Sequence, residues 1–250
     1  MVSGNRSRPV RPDSAPLAEL LARPADLGQV IDALVADPAL VGPVDPDRIA
    51  AIGHSLGGWT VTALAGAAFD PALLDHDCQT NPGLRACQQR ALLGLDERGR
   101  QQMAAAGGAI ATRTDKRLRA FVALDPGLVR SFTRDSLRSI AIPSLVLAAG
   151  SDDPDLPRDL ESGYLVRHLD PGLSRYDVIS GASHFSFVQL CQPQAAMILA
   201  TGPAAERALC LDGGDRERAD IHRALLDLVI PFLERTLAGQ SAKHSAGSAG

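Results

Sequence analysis

Four short apolar runs constrain this chain more than any other feature. They lie at Arg48 to Ile52, Leu118 to Pro126, Ile142 to Pro154 and Ser174 to His184, and each closes on Gly, Asp or Ser. Runs of this length without helical periodicity read as strands buried on both faces. Helix-type sequence separates them, and such alternation predicts a parallel sheet covered by helices on both sides. The 250 residues, 45% of them hydrophobic and 22% charged, suffice for one domain of this kind.

The rest of the chain falls into place around these runs. Residues 1–15 are rich in Arg, Pro and Ser and are expected to be extended or disordered. From Leu17 to Val35 apolar residues recur at helical spacing, with a break predicted near Pro24. A polar, helix-prone insert without strand character spans about 69–117. The last helix is predicted over Ile221 to Leu237, where Ile221, Leu225, Leu228, Val229 and Phe232 share one face. The low-complexity tail 238–250 is expected to be disordered, which leaves 16–237 as the folded unit.

Gly53-His54-Ser55-Leu56-Gly57 fits G-x-S-x-G, and it follows a β-run and opens an Ala/Thr/Gly-rich helix. That context is the mark of a nucleophile elbow, the strained turn that presents the serine of an α/β-hydrolase. The turn demands minimal side chains two residues to either side of Ser55, and Gly53 and Gly57 meet the demand. Gly58 lets the helix pack close to the strand. At the helix N-terminus the backbone N–H of Leu56 is the expected oxyanion donor.

A serine hydroxyl needs a base to remove its proton. Of six histidines, His184 is the best placed, because it follows the last strand within the small-residue turn SGASHF. His54 sits inside the elbow and is expected to point away. The acid has several candidates: Asp125 ends one strand, Asp152 and Asp153 follow the next with Asp155 close behind, and position after the penultimate strand with the spacing Gly150-x-x-Asp153 favours Asp153. Both places are strand ends, where open α/β sheets gather functional residues. Either also reads as a turn-capping aspartate. Trp59 reads as core, with an acyl-pocket wall as the alternative. Leu73, Leu74, Leu92 and Leu95 of the insert either anchor it to the core or face a substrate.

Together GHSLGG, VALDPG and SHFSF resemble the dienelactone hydrolases and the platelet-activating-factor acetylhydrolase-like esterases of the α/β-hydrolase superfamily. The likeness covers roughly Pro24 to Leu237. It implies Asp125 as the acid in the acetylhydrolase branch and Asp153 in the dienelactone branch. Cys78, Cys87, Cys191 and Cys210 lack metal-ligand spacing and read as buried thiols or as two local bridges. The resemblance favours bridges Cys78–Cys87 and Cys191–Cys210, and with them a periplasmic or secreted location. The chain departs from this family at its front. The 47 residues before Arg48 hold no strand pattern and no loop for a second oxyanion donor, so the domain is expected to lack its N-terminal strands. An unpaired first strand would favour self-association.

These readings point to a serine hydrolase cleaving a small-molecule carboxylic ester, with no cofactor and no metal. A non-catalytic remnant of the fold and an acyltransferase with the same residues are the alternatives. A net charge of −4 without a basic patch gives nucleic acid little to bind. No apolar stretch approaches the roughly 18 residues of a membrane span. The basic N-terminus has no apolar signal-peptide core.

Overall fold

Strand burial follows strand position. In a computed structural model, residues 16–97, 99, 101, 114–212, 214 and 216–247 are described. They form a four-stranded parallel sheet in the order β1 (Ile49–His54), β2 (Leu118–Leu124), β3 (Ser144–Ala149), β4 (Ser174–Ile179). The inner strands β2 and β3 are buried almost throughout, which is why both are unbroken apolar sequence. The outer strand β4 instead exposes Arg175, Tyr176 and Asp177, charges that blunt a sheet edge. At the opposite edge β1 leaves Ile52 half exposed.

Period-2 alternation sorts the core into two layers. Phe121, Ala123 and Val146 face one side, against α1 (Pro16–Ala36) and α3 (Leu56–Leu64), where Leu17, Leu20, Ile31, Trp59 and Leu64 are buried; the short α2 (Pro38–Val41) between these helices in the chain buries no residue. Ala120, Val122, Leu124, Leu145 and Leu147 face the other, against Val229 and Phe232. The fully buried Trp59 stacks on Phe132, meets Phe69 edge-on and donates its indole N–H to Ser131 Oγ at 3.3 Å. It is core.

Between α3 and β2 the insert forms α4 (Pro71–Thr80) and α5 (Arg85–Gln88), joined by the Cys78–Cys87 disulfide. Its residues 98, 100 and 102–113 lie outside those described, as do residues 1–15. Leu74 and Leu95 are buried anchors, whereas Leu92 is exposed. After β2 come α6 (Arg134–Arg138) and, beyond β3, α7 (Ser162–His168). The chain closes with α8 (Pro193–Ala200), α9 (Ala204–Arg207) and α10 (Arg218–Gly247). No described helix is long and apolar enough to cross a membrane.

Two helix boundaries differ from the sequence reading. Pro24 lies inside an uninterrupted α1, because Leu17, Leu20 and Ile31 on either side of it are all held in one core. Such packing outweighs the roughly 3 kcal/mol helix penalty of an internal proline. The last helix likewise continues ten residues past Leu237, to Gly247, and residues 248–250 of the tail lie outside those described.

Candidate active site

The carboxyl ends of β1 and β2 carry the first two residues of the site. Ser55 stands between β1 and α3 with φ 56° and ψ −120°, a conformation L-residues avoid. What holds it there is backbone bonding. Ser55 N–H donates to Leu124 O (3.0 Å), and Ser55 O accepts from Gly58 N–H (2.9 Å) and Gly127 N–H (3.3 Å). The turn is so tight that a Cβ on Gly53 would lie 2.1 Å from Gly57 O. One on Gly58 would lie 2.8 Å from Pro126 Cβ. A Cβ on Gly57 meets nothing within 4 Å, so the expected demand for glycine falls on Gly53 and Gly58, not on Gly57.

Asp125 follows β2 with φ 40°. Its N–H donates to Leu147 O (2.6 Å) and its Oδ1 accepts Ala149 N–H (2.9 Å), so the carboxylate is fixed against β3. Its Oδ2 accepts the Nδ1–H of His184 at 2.7 Å. His184 Nε2 then stands 3.0 Å from Ser55 Oγ. Because a carboxylate only accepts, the proton sits on Nδ1 and Nε2 is free to take the serine hydrogen. His184 and Asp125 are about 5% exposed, which shields the chain from competing water.

Asp153 has no place in this chain of hydrogen bonds. Its Oδ2 pairs with Arg85 at 2.7 Å, and its Oδ1 caps a turn through Asp155 N–H (3.0 Å) and Leu156 N–H (3.2 Å). It ties the insert to the loop after β3. Leu56 is the first residue of α3, so its N–H has no acceptor within the helix and is available to a ligand oxygen.

Several supports have no local sequence signal. The His184–Phe187 turn is capped by Ser183 and Ser186. Ser186 Oγ donates to Asp212 Oδ1 (2.5 Å), which also accepts from Arg218 Nε (3.0 Å). His222 Nε2–H is shared by Ser186 O and Val188 O, both at 3.0 Å. The Cys191–Cys210 disulfide closes the loop that brings Asp212 to this turn. On the Asp125 side the buried Glu161 accepts Val129 N–H at 3.2 Å, gripping the turn just past Asp125 where Leu128 adopts φ 64°. The Ser186–Asp212, His222–Ser186 and Glu161–Val129 bonds each join residues more than 25 positions apart.

Burial pushes the Glu161 carboxyl up from 4.5 to about 8. The folded chain therefore keeps a proton that the unfolded chain loses. Stability from this group is full below 4.5 and falls as pH rises towards about 8. Glu161→Gln, which does not titrate, is expected to gain melting temperature relative to the parent across that window and hold a constant difference above it. Thermal melts of both proteins from acid to alkaline pH check this; a melting-temperature difference that does not change with pH would refute it.

The chain matches the alpha/beta hydrolase family over residues 4–198. No curated protein matches it in sequence. Among solved structures it is similar to a ferulic acid esterase from Streptomyces cinnamoneus, with a TM-score of 0.51 at 20% identity. The match covers 91% of this chain and 51% of the esterase, so the chain spans about half the length of that protein. With most of its length inside the family match and its parallel sheet flanked by helices, the chain belongs to the alpha/beta hydrolase family.

Proposed function

We propose that this protein is a serine-type carboxylic ester hydrolase. The observation that carries the reading is the hydrogen-bonded chain Ser55 Oγ, His184 Nε2, His184 Nδ1, Asp125 Oδ2, with contacts of 3.0 and 2.7 Å and its His184 and Asp125 end buried. His184 removes the Ser55 proton as Oγ attacks the ester carbonyl, and Asp125 stabilises the imidazolium that forms. The tetrahedral oxyanion develops beside the Leu56 N–H at the positive end of α3. His184 then protonates the departing alkoxide, leaving an acyl group on Ser55. Water deprotonated by His184 releases the acid. An ester of an aromatic acid is a sensible first substrate, since the structural neighbour is a ferulic acid esterase and the fold is shared. The two disulfides suit an oxidising compartment.

A fluorophosphonate probe is expected to label the chain at Ser55, and both Ser55→Ala and His184→Ala should abolish labelling. Peptide mapping of the adduct by mass spectrometry checks it. Labelling that persists in His184→Ala would refute the assigned base, and no labelling of the parent would refute the reading itself.

A further inference from the structure

We propose that His54 is a positioning residue that sets the distance between the nucleophile and its base. The sequence places it one residue before Ser55 and predicts that it points away. In the structure its Nε2 lies 2.7 Å from the backbone oxygen of His184. A carbonyl only accepts, so Nε2 carries a hydrogen and donates it. The two imidazoles stand 4.6 Å apart at 42°, and the Phe187 ring lies 5.8 Å from that of His54.

Alternation along β1 explains the placement. Ala51 and Gly53 turn towards α3, whereas Ala50 and His54 turn to the opposite face, where Phe187 of the His184 turn also packs. The residue beside the nucleophile thereby grips the main chain of the base. One side chain spans from the Ser55 backbone to the His184 backbone, so their separation does not depend on the path through β2, β3 and β4. Burial, and secondarily the neighbouring His184, hold the His54 pKa down at about 4. At neutral pH the ring is uncharged with Nδ1 bare, and it adds no positive charge beside the imidazolium that catalysis requires. The groups that bear on it are His184 and Asp125.

The inference rests on the hydrolase reading for its kinetic consequence, but its geometry can be tested separately. His54→Phe keeps an aromatic ring beside His184 and Phe187 and removes the donor; His54→Gln supplies a side-chain N–H. Displacing a reacting group by about 1 Å can cost up to about 10²-fold in rate. His54→Phe is therefore expected to lower kcat on p-nitrophenyl acetate by roughly 10- to 100-fold, with KM changed by less than about threefold. His54→Gln should recover most of that loss. The downfield NMR signal of the His184 Nδ1–H should persist in the parent and in His54→Gln and broaden or vanish in His54→Phe. Parent-like kcat and an unchanged signal in His54→Phe would overturn the proposal.

Nitrogen-15 NMR of the parent supplies a test that needs no variant. It should show His54 protonated on Nε2, bare on Nδ1 and not titrating above about pH 5, consistent with its lowered pKa. An Nδ1–H tautomer would also overturn the proposal. A parent that hydrolyses no ester yet shows this tautomer would defeat the hydrolase reading and leave the His54 contact standing.

Discussion

Asp125→Asn is expected to lower ester turnover by about 10⁴, the scale of losing the acid of a Ser–His–Asp triad. The reason is the second hydrogen bond of Asp125. Its Oδ1 is committed to Ala149 N–H at 2.9 Å, so an asparagine keeps its oxygen there and turns its NH₂ group towards His184. Facing a donor, Nδ1 must act as acceptor, and the imidazole proton moves to Nε2, against Ser55. A base already protonated on that nitrogen has no capacity for the serine hydrogen. Asp153→Asn is expected to change turnover by less than about threefold, since it weakens a partly exposed pair with Arg85 of the kind that contributes about 0–1 kcal/mol. Steady-state kinetics on both variants, with melting temperatures to show that each is folded, decide the matter. Equal effects from the two substitutions would reject Asp125 as the acid.

Gly53→Ala is expected to prevent folding. The added Cβ falls 2.1 Å from Gly57 O, 2.2 Å from Gly57 C and 2.8 Å from Gly58 N. All three are backbone atoms of the elbow, so no side chain can swing aside. Relief requires opening the turn, which breaks the Ser55 N–H bond to Leu124 O and separates α3 from β1. A loss above about 4 kcal/mol is a large part of the 5–15 kcal/mol that holds a typical domain together. Gly57→Ala meets no atom and is expected to melt within a few degrees of the parent. Far-UV circular dichroism and thermal melts of the two alanine variants give the comparison; a cooperative, parent-like melt of Gly53→Ala would contradict the elbow geometry.

Residue by residue, the boundary between what was legible and what was not follows the range of the forces involved. The sequence by itself determined the parallel sheet, because strands buried on both faces must be continuously apolar. It determined the elbow, because a serine with positive φ between a strand and a helix needs glycine at 53, a purely local steric demand. The position of His184 followed from chain order, since it comes after the last strand in a turn of small residues.

Which aspartate meets His184 was a different matter. Asp125 and Asp153 each end or follow a strand and each can cap a turn, and position after the penultimate strand with the Gly150 spacing leans to Asp153, whereas the hydrogen bond to His184 is made by Asp125. Register separates them. Pairing of His54 with Leu124 sets Ser55 and Asp125 side by side on adjacent strands, while β3 lies one strand further out and its following loop carries Asp153 to Arg85. The turn of His54 towards the His184 carbonyl, the burial of Glu161 beneath the Asp125 turn and the continuity of α1 through Pro24 belong to the same class. Each depends on partners tens of residues away, and composition and periodicity carry no information about such pairings until the sheet has brought them together.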